Sequence, residues 1–131
     1  MVILDTSFII DVMRRDAAAL ATLDRLETGS EPLRVPAPVF YELWEGIDRS
    51  EKPIRELKAV EDVLESYPPL EVQIPAAKRA GKLSGALIRG GQDIDDMDLL
   101  VAGMALEAGE AVVTRNERDF GRIDDLKLIT Y

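Results

Sequence analysis

Four isolated carboxylates in apolar surroundings are the residues of this sequence that could carry out chemistry. Asp5 follows a short apolar run, Glu42 lies within a bulky apolar stretch, and Asp98 opens a third apolar run. Asp119 comes five residues after the apolar run that ends at Thr114. A carboxylate near buried apolar residues costs free energy to desolvate unless a cation meets it. These four acids are therefore candidate ligands for a cation.

The residue types that the chain lacks narrow the possible chemistry. The chain has no cysteine and no histidine, which excludes disulfides, zinc–thiolate sites, cysteine nucleophiles and histidine general bases. Any metal site must use oxygen ligands, which suit Mg²⁺, with Mn²⁺ as a possible substitute. A carboxylate-held Mg²⁺ can activate a water and stabilise the oxygens of an in-line phosphoryl displacement. Phosphodiester hydrolysis is therefore within reach of this chain.

Apolar runs alternate with helical patterns along the chain, and this alternation is typical of a parallel α/β sheet. We predict strands at residues 2–4, 33–35, 70–74, 111–114 and 126–131. No hairpin signal of the Asn-Gly kind is present. The predicted architecture is a three-layer α/β/α sandwich with a central, mostly parallel sheet, in a single domain over residues 1–131.

This fold brings the four acids to one edge of the sheet. Asp5 and Asp119 follow the carboxyl ends of predicted parallel strands, where ligands bind in open α/β sheets. Glu42 and Asp98 lie in the first turns of helices that start at the same edge if the connections are right-handed. We predict that Asp95 or Asp96 is the helix N-cap ahead of Asp98, and that Thr6 or Ser7 is the N-cap of the first helix. Four acids from distant parts of the chain should therefore meet in one crevice.

Composition limits the partners of the chain. The formal net charge is −9, which argues against a protein that wraps nucleic acid with a basic surface. No signal peptide and no apolar run of about 20 residues is visible, so we expect no membrane span and a cytoplasmic location. One helical face carries Lys78, Lys82 and Arg89, and its favoured interpretation is a solvent-exposed surface without a binding role. Arg115 and Arg118 are better candidates for contacts to the phosphates of a substrate because they flank the predicted site.

Three of the four acids also have an ordinary structural interpretation, whereas Asp98 favours function because Asp95 or Asp96 already supplies the cap, and rival classes of protein remain open. Taken singly, Asp5 fits a turn, Glu42 a solvated helix position and Asp119 a loop. A receiver domain would need a lysine after a late strand, and a haloacid-dehalogenase-type phosphatase would need a second aspartate where Ser7 stands. A metal-dependent phosphatase-type domain and a catalytically silent protein- or RNA-binding module are the alternatives to an enzyme that hydrolyses phosphodiester bonds.

The ordered set of motifs resembles the PIN-domain ribonucleases, and specifically the VapC-like toxins of toxin–antitoxin pairs. The resemblance covers nearly the whole chain. The matching pieces are Leu4-Asp5-Thr6-Ser7-Phe8-Ile9-Ile10-Asp11, Glu42, Asp98-Leu99-Leu100-Val101-Ala102 and Val113-Thr114-Arg115-Asn116-Glu117-Arg118-Asp119-Phe120.

The resemblance implies a Mg²⁺-dependent endoribonuclease that a cognate antitoxin holds inactive. It implies that Asp5, Glu42 and Asp98 form a metal-binding triad, with Asp119 as a fourth acid. Further residues resemble polar groups that support such a site: Thr6 and Thr114 as orienting hydroxyls, and Asn116 as a competing or supporting ligand. Asp95 and Asp96 depart from the family's pattern, because they replace small or proline residues before Asp98. This departure makes the site more acidic and leaves open whether Asp96 also approaches a metal. A homodimer is also implied, with an antitoxin groove for which our candidates are Phe40, Trp44 and the helix predicted at 53–66.

Overall fold

A five-stranded parallel sheet and seven helices form the computed structural model, which describes every residue from Met1 to Tyr131. The strands are β1 (Val2–Leu4), β2 (Leu33–Pro36), β3 (Pro69–Leu70), β4 (Ala111–Val113) and β5 (Leu128–Ile129). The helices are α1 (Thr6–Met13), α2 (Ala17–Thr28), α3 (Ala37–Asp48), α4 (Pro53–Leu64), α5 (Ile74–Arg89), α6 (Asp96–Ala108) and α7 (Glu117–Phe120).

The sheet order is β3-β2-β1-β4-β5, and every pairing is parallel. From β1 the chain builds the sheet first in one direction, through β2 and β3, and then in the other, through β4 and β5. With right-handed connections, the two series of helices cover opposite faces of the sheet. The predicted α/β/α fold is thereby confirmed. The order reverses between β1 and β4, which is where open α/β sheets place their ligands.

The core lies around the central strands. Every residue of β1 is buried between β2 and β4, and Phe8 and Phe120 are fully buried on helices next to it. Helix α6 is buried over most of its circumference, as its continuous apolar sequence predicts. Its Gly103 packs closely on α5, since a Cβ atom there would lie 2.5 Å from the carbonyl oxygen of Ala76.

Three local predictions were wrong. The strand predicted at 70–74 is limited to Pro69–Leu70, and Ile74 is the first residue of α5, because Pro75 suits a first helical turn, where no N–H partner is needed. The last strand is limited to β5, and the short helix α7 was missed because four residues show no period. None of the helices is long and apolar enough to cross a membrane.

Candidate metal centre

Asp5 stands at the point where β1 ends and α1 begins. Its backbone N–H donates a hydrogen bond of 3.1 Å to the carbonyl oxygen of Val113 in β4, which fixes it at the reversal of the sheet order. Asp5 itself is the N-cap residue of α1, without a side-chain capping bond. The prediction that Thr6 or Ser7 caps this helix was wrong, because both hydroxyls instead donate to carboxylates.

The two oxygens of the buried Asp5 carboxylate have different surroundings. Oδ2 accepts hydrogen bonds from the hydroxyls of Thr114, at 2.7 Å, and Ser7, at 3.0 Å. Oδ1 is buried and has no hydrogen-bond partner. A buried, unpartnered carboxylate oxygen is costly, and a cation would satisfy it. The hydroxyls therefore orient a carboxylate whose second oxygen is free to bind a ligand.

Glu42 and Asp98 meet Asp5 from two different helices. Glu42 is half-buried on α3, and its Oε1 accepts a 2.7 Å hydrogen bond from the Thr6 hydroxyl. Asp98 lies in the first turn of α6, where Asp95 is the N-cap and accepts a hydrogen bond from the N–H of Met97. One carboxylate oxygen from each of the three acids lies within 4.8 Å of the others, so together they could hold a metal ion.

The pKa values of this cluster reflect burial and mutual repulsion. Desolvation, reinforced by the charges of Asp5 and Glu42, raises the pKa of Asp98 to about 7. Burial also raises the pKa of Asp5, against the opposing hydrogen bonds from Thr114 and Ser7. For Glu42, burial raises the pKa and the Thr6 hydrogen bond opposes it. A divalent cation would relieve this repulsion directly, which fits an all-oxygen set of donors.

Asp119 is a neighbour of this cluster but not one of its three members. Its carboxylate forms an ion pair with Arg122 of the next turn and accepts a 3.2 Å hydrogen bond from the Asn116 side-chain amide. The same amide lies 3.4 Å from Oδ2 of Asp98. Asn116 thus bridges the two acids, and the charge of Asp119 contributes to the raised pKa of Asp98.

The remaining predicted site residues lie at the margin. Asp96 is exposed and stands outside the three-carboxylate cluster. Arg118 is exposed on α7. Arg115 is exposed over 60% of its side chain, but one end of its guanidinium is held 2.8 Å from the carboxylate of Asp11, which is 4% exposed.

Three residues near the site were missed by sequence reasoning. Ser7 links Asp5 to the segment after β4, because its hydroxyl also accepts the backbone N–H of Arg115 at 3.0 Å. Asp11 anchors Arg115, and its signal was visible as an acid inside the apolar helix α1. Asp95 was read only as a cap, whereas its charge also raises the pKa of Glu42.

Comparison with known proteins identifies this architecture. The PIN domain family model matches residues 2–126. The tRNA(fMet)-specific endonuclease VapC of Shigella flexneri is 27% identical, and Ribonuclease VapC2 of Haemophilus influenzae is 30% identical. Each alignment covers 95% of this chain and 92% of the relative. The crystal structure of DNA-bound VapBC from Salmonella typhimurium superposes with a TM-score of 0.86 at 27% identity, over 98% of this chain and 96% of that one.

Proposed function

The chain belongs to the PIN domain family, and from that premise we propose that it is a Mg²⁺-dependent endoribonuclease of the VapC type, the toxin of a toxin–antitoxin pair. The observation that carries the residue assignment is the convergence of Asp5, Glu42 and Asp98 around the unpartnered Oδ1 of Asp5. These three are the proposed metal ligands. Residues 1–131 form the proposed nuclease domain.

The chain's own groups would prepare this site before RNA binds. The hydroxyls of Thr114 and Ser7 hold Oδ2 of Asp5, and the Thr6 hydroxyl holds Glu42, so the carboxylates keep a fixed orientation. A divalent cation held by Asp5, Glu42 and Asp98 would supply neutralising charge at the scissile phosphodiester and would lower the pKa of water. Mn²⁺ could replace Mg²⁺, because both accept hard oxygen ligands.

Supporting roles follow from position. Asn116 limits the freedom of Asp98, and Asp119 adds negative charge beside it, which supports Asp119 as an outer acid rather than a member of the triad. Arg115 and Arg118 are the proposed contacts to RNA phosphates, since both follow β4 at the edge where Asp5 lies.

A cognate antitoxin is the proposed protein partner, as in the VapBC complexes of similar fold. The rings of Phe40 and Trp44 stack with centroids 6.2 Å apart, and Trp44 remains 42% exposed rather than buried in the core. Ile54, at the start of α4, is 86% exposed. This apolar surface on α3 and α4 is the proposed antitoxin groove. A homodimer acting on RNA in the cytoplasm completes the proposal.

RNA cleavage tests the proposal. Purified protein would be incubated with pooled cellular RNA in Mg²⁺, in Mn²⁺ and in EDTA, and internal cuts would be mapped. Glu42→Gln and Asp98→Asn should abolish cleavage. Glu45→Gln is the matched control, because Glu45 is an exposed glutamate one turn along the same helix.

Cleavage that persists in EDTA, or in both triad variants, would contradict a carboxylate-held metal. Folded protein that binds Mn²⁺ but leaves every RNA intact would favour the silent binding module instead. Cleavage that needs metal and is lost only in the two triad variants is the expected result.

A further inference from the structure

The exposed face of α5 differs in charge from the rest of the chain. Residues 72–92 contain no aspartate or glutamate, although the chain has 25 acids among 131 residues and no other acid-free stretch is as long. Three exposed cations lie on this helix without an acidic partner: Lys78, Lys82 and Arg89. Only Arg79 on the same helix forms an ion pair, with Glu107 of α6. We call the three unpaired cations the α5 cationic line.

The α5 cationic line is a single face of the helix. At about 100° per residue, its three members fall within roughly 40° of one another, on the side opposite the buried Ala76 and Ala80. Small residues separate them, so the helix backbone stays accessible. A surface cavity of about 790 Å³ runs along this face, and its lining residues are Lys78, Gly81, Lys82, Gly85, Ala86 and Arg89.

One end of the line lies level with the metal centre, although the line is on the face of α5 that points away from α6. Helices α5 and α6 are antiparallel, since Ala80 packs against Gly103 and the short segment 90–95 joins the two. Arg89 therefore lies level with the first turn of α6, which carries Asp98. From Lys78 to Arg89 the helix rises about 16 Å.

We propose that the α5 cationic line binds a stretch of the sugar–phosphate backbone of the RNA substrate outside the metal centre, and that the RNA reaches the metal centre around the carboxyl end of α5. This inference rests on the proposed ribonuclease function. A chain with net charge −9 repels RNA in general, so the face free of acids is where a polyanion can approach. Each lysine or arginine that neutralises a phosphate releases counterions, which favours binding without reading sequence. The absence of large apolar side chains among the cavity's lining residues favours a phosphate backbone over an acidic protein partner.

A charge-matched pair of variants tests this inference. The test variant carries Lys78→Gln, Lys82→Gln and Arg89→Gln. The control carries Arg14→Gln, Arg49→Gln and Lys127→Gln. These remove three exposed cations that lie after α1, after α3 and before β5, near the amino ends of the strands and away from the metal centre. Both would be made in an Asp98→Asn background, so that RNA binds without being cut. Binding of a fluorescent single-stranded RNA would be measured by anisotropy across a salt series.

Affinity for RNA falls as salt rises, and each phosphate contact contributes about 0.7 to the steepness of log affinity against log salt. Loss of three contacts should therefore make this line shallower by about 2 and weaken binding on the order of 100-fold at about 0.1 M salt. The control should bind like its parent. Equal weakening of both variants, or unchanged binding by the test variant, would overturn the inference. So would unchanged RNA binding accompanied by loss of self-association or antitoxin binding. Failure of the wild type to cleave RNA would instead refute the proposed function, and the binding measurement does not depend on cleavage.

Discussion

Asp98→Asn should stabilise the protein in the absence of metal, although it removes a proposed ligand. Without bound metal, Asp98 faces the charges of Asp5 and Glu42, and desolvation together with these charges raises its pKa to about 7. The amide has nearly the same shape and no charge. Its oxygen can still accept from the Asn116 amide, which lies 3.4 Å from Asp98 Oδ2. The substitution therefore removes repulsion without leaving a cavity.

The size of this effect follows from the raised pKa. The difference between about 7 and the ordinary value of 3.8 corresponds to roughly 4 kcal/mol at 1.36 kcal/mol per pH unit. Asp98 is only half-buried, so solvent screening reduces the expected gain to about 1–2 kcal/mol. For a domain of this size that corresponds to a rise in Tm of about 3–6 °C.

The gain should depend on pH in a defined direction. A carboxyl group with a raised pKa binds its proton more tightly in the folded state, so wild-type stability falls as pH rises from about 4 to 7. The stability of Asp98→Asn lacks this contribution. Its advantage should be near zero at pH 4 and complete above pH 7.

Urea unfolding in EDTA at pH 4, 6 and 8 would measure this, with the exposed Asp96→Asn as a control expected to change stability by less than about 0.5 kcal/mol. Excess Mn²⁺ should reverse the order, because metal that binds only the folded wild type stabilises it by mass action. An Asp98→Asn protein that is less stable than wild type at pH 8 in EDTA would refute the reasoning about uncompensated repulsion.

Three other predictions concern the metal site and the core. Thr114→Val, which removes a hydroxyl from Asp5, should weaken Mn²⁺ affinity about 10- to 100-fold in calorimetry; unchanged affinity would deny it an orienting role. The apparent Mn²⁺ affinity of the wild type should fall about 10-fold from pH 8 to pH 6, since protons compete for Asp98. Gly103→Ala should cost about 1–3 kcal/mol in urea unfolding because its Cβ would clash with α5, whereas Gly46→Ala, with open space around it, should not destabilise.

The parallel sheet could be predicted from the sequence because short apolar runs mark its strands locally. The apolar runs that became β1 and β4 are short, buried and bounded by polar residues, and their alternation with helical patterns predicted parallel pairing. The prediction failed at Ile74, where alternation of apolar residues resembled a strand but Pro75 marked the first turn of α5. Only hydrogen bonding to β2 decides where such an edge strand ends.

The sequence predicted the acidic residues of the candidate site but not the ion pair and hydrogen bonds that hold them. Asp5 and Asp98 are recognisable because each stands beside a buried apolar run. The pairing of Arg115 with Asp11 joins residues 104 positions apart, and no local pattern reports such a contact. The same holds for the Thr114 hydroxyl that occupies one oxygen of Asp5.

Mn²⁺ binding by variants of two buried aspartates, Asp5 and the control Asp11, tests the central claim most directly. Asp5 has one unpartnered oxygen, whereas both oxygens of Asp11 are occupied, one by Arg115 and the other by the Tyr131 hydroxyl. Calorimetric titration of Mn²⁺ at pH 8 should show binding to the wild type and to folded Asp11→Asn, and none to Asp5→Asn. Equal binding by Asp5→Asn and wild type, or no binding of Mn²⁺ by the wild type, would contradict a metal centre at this edge of the sheet.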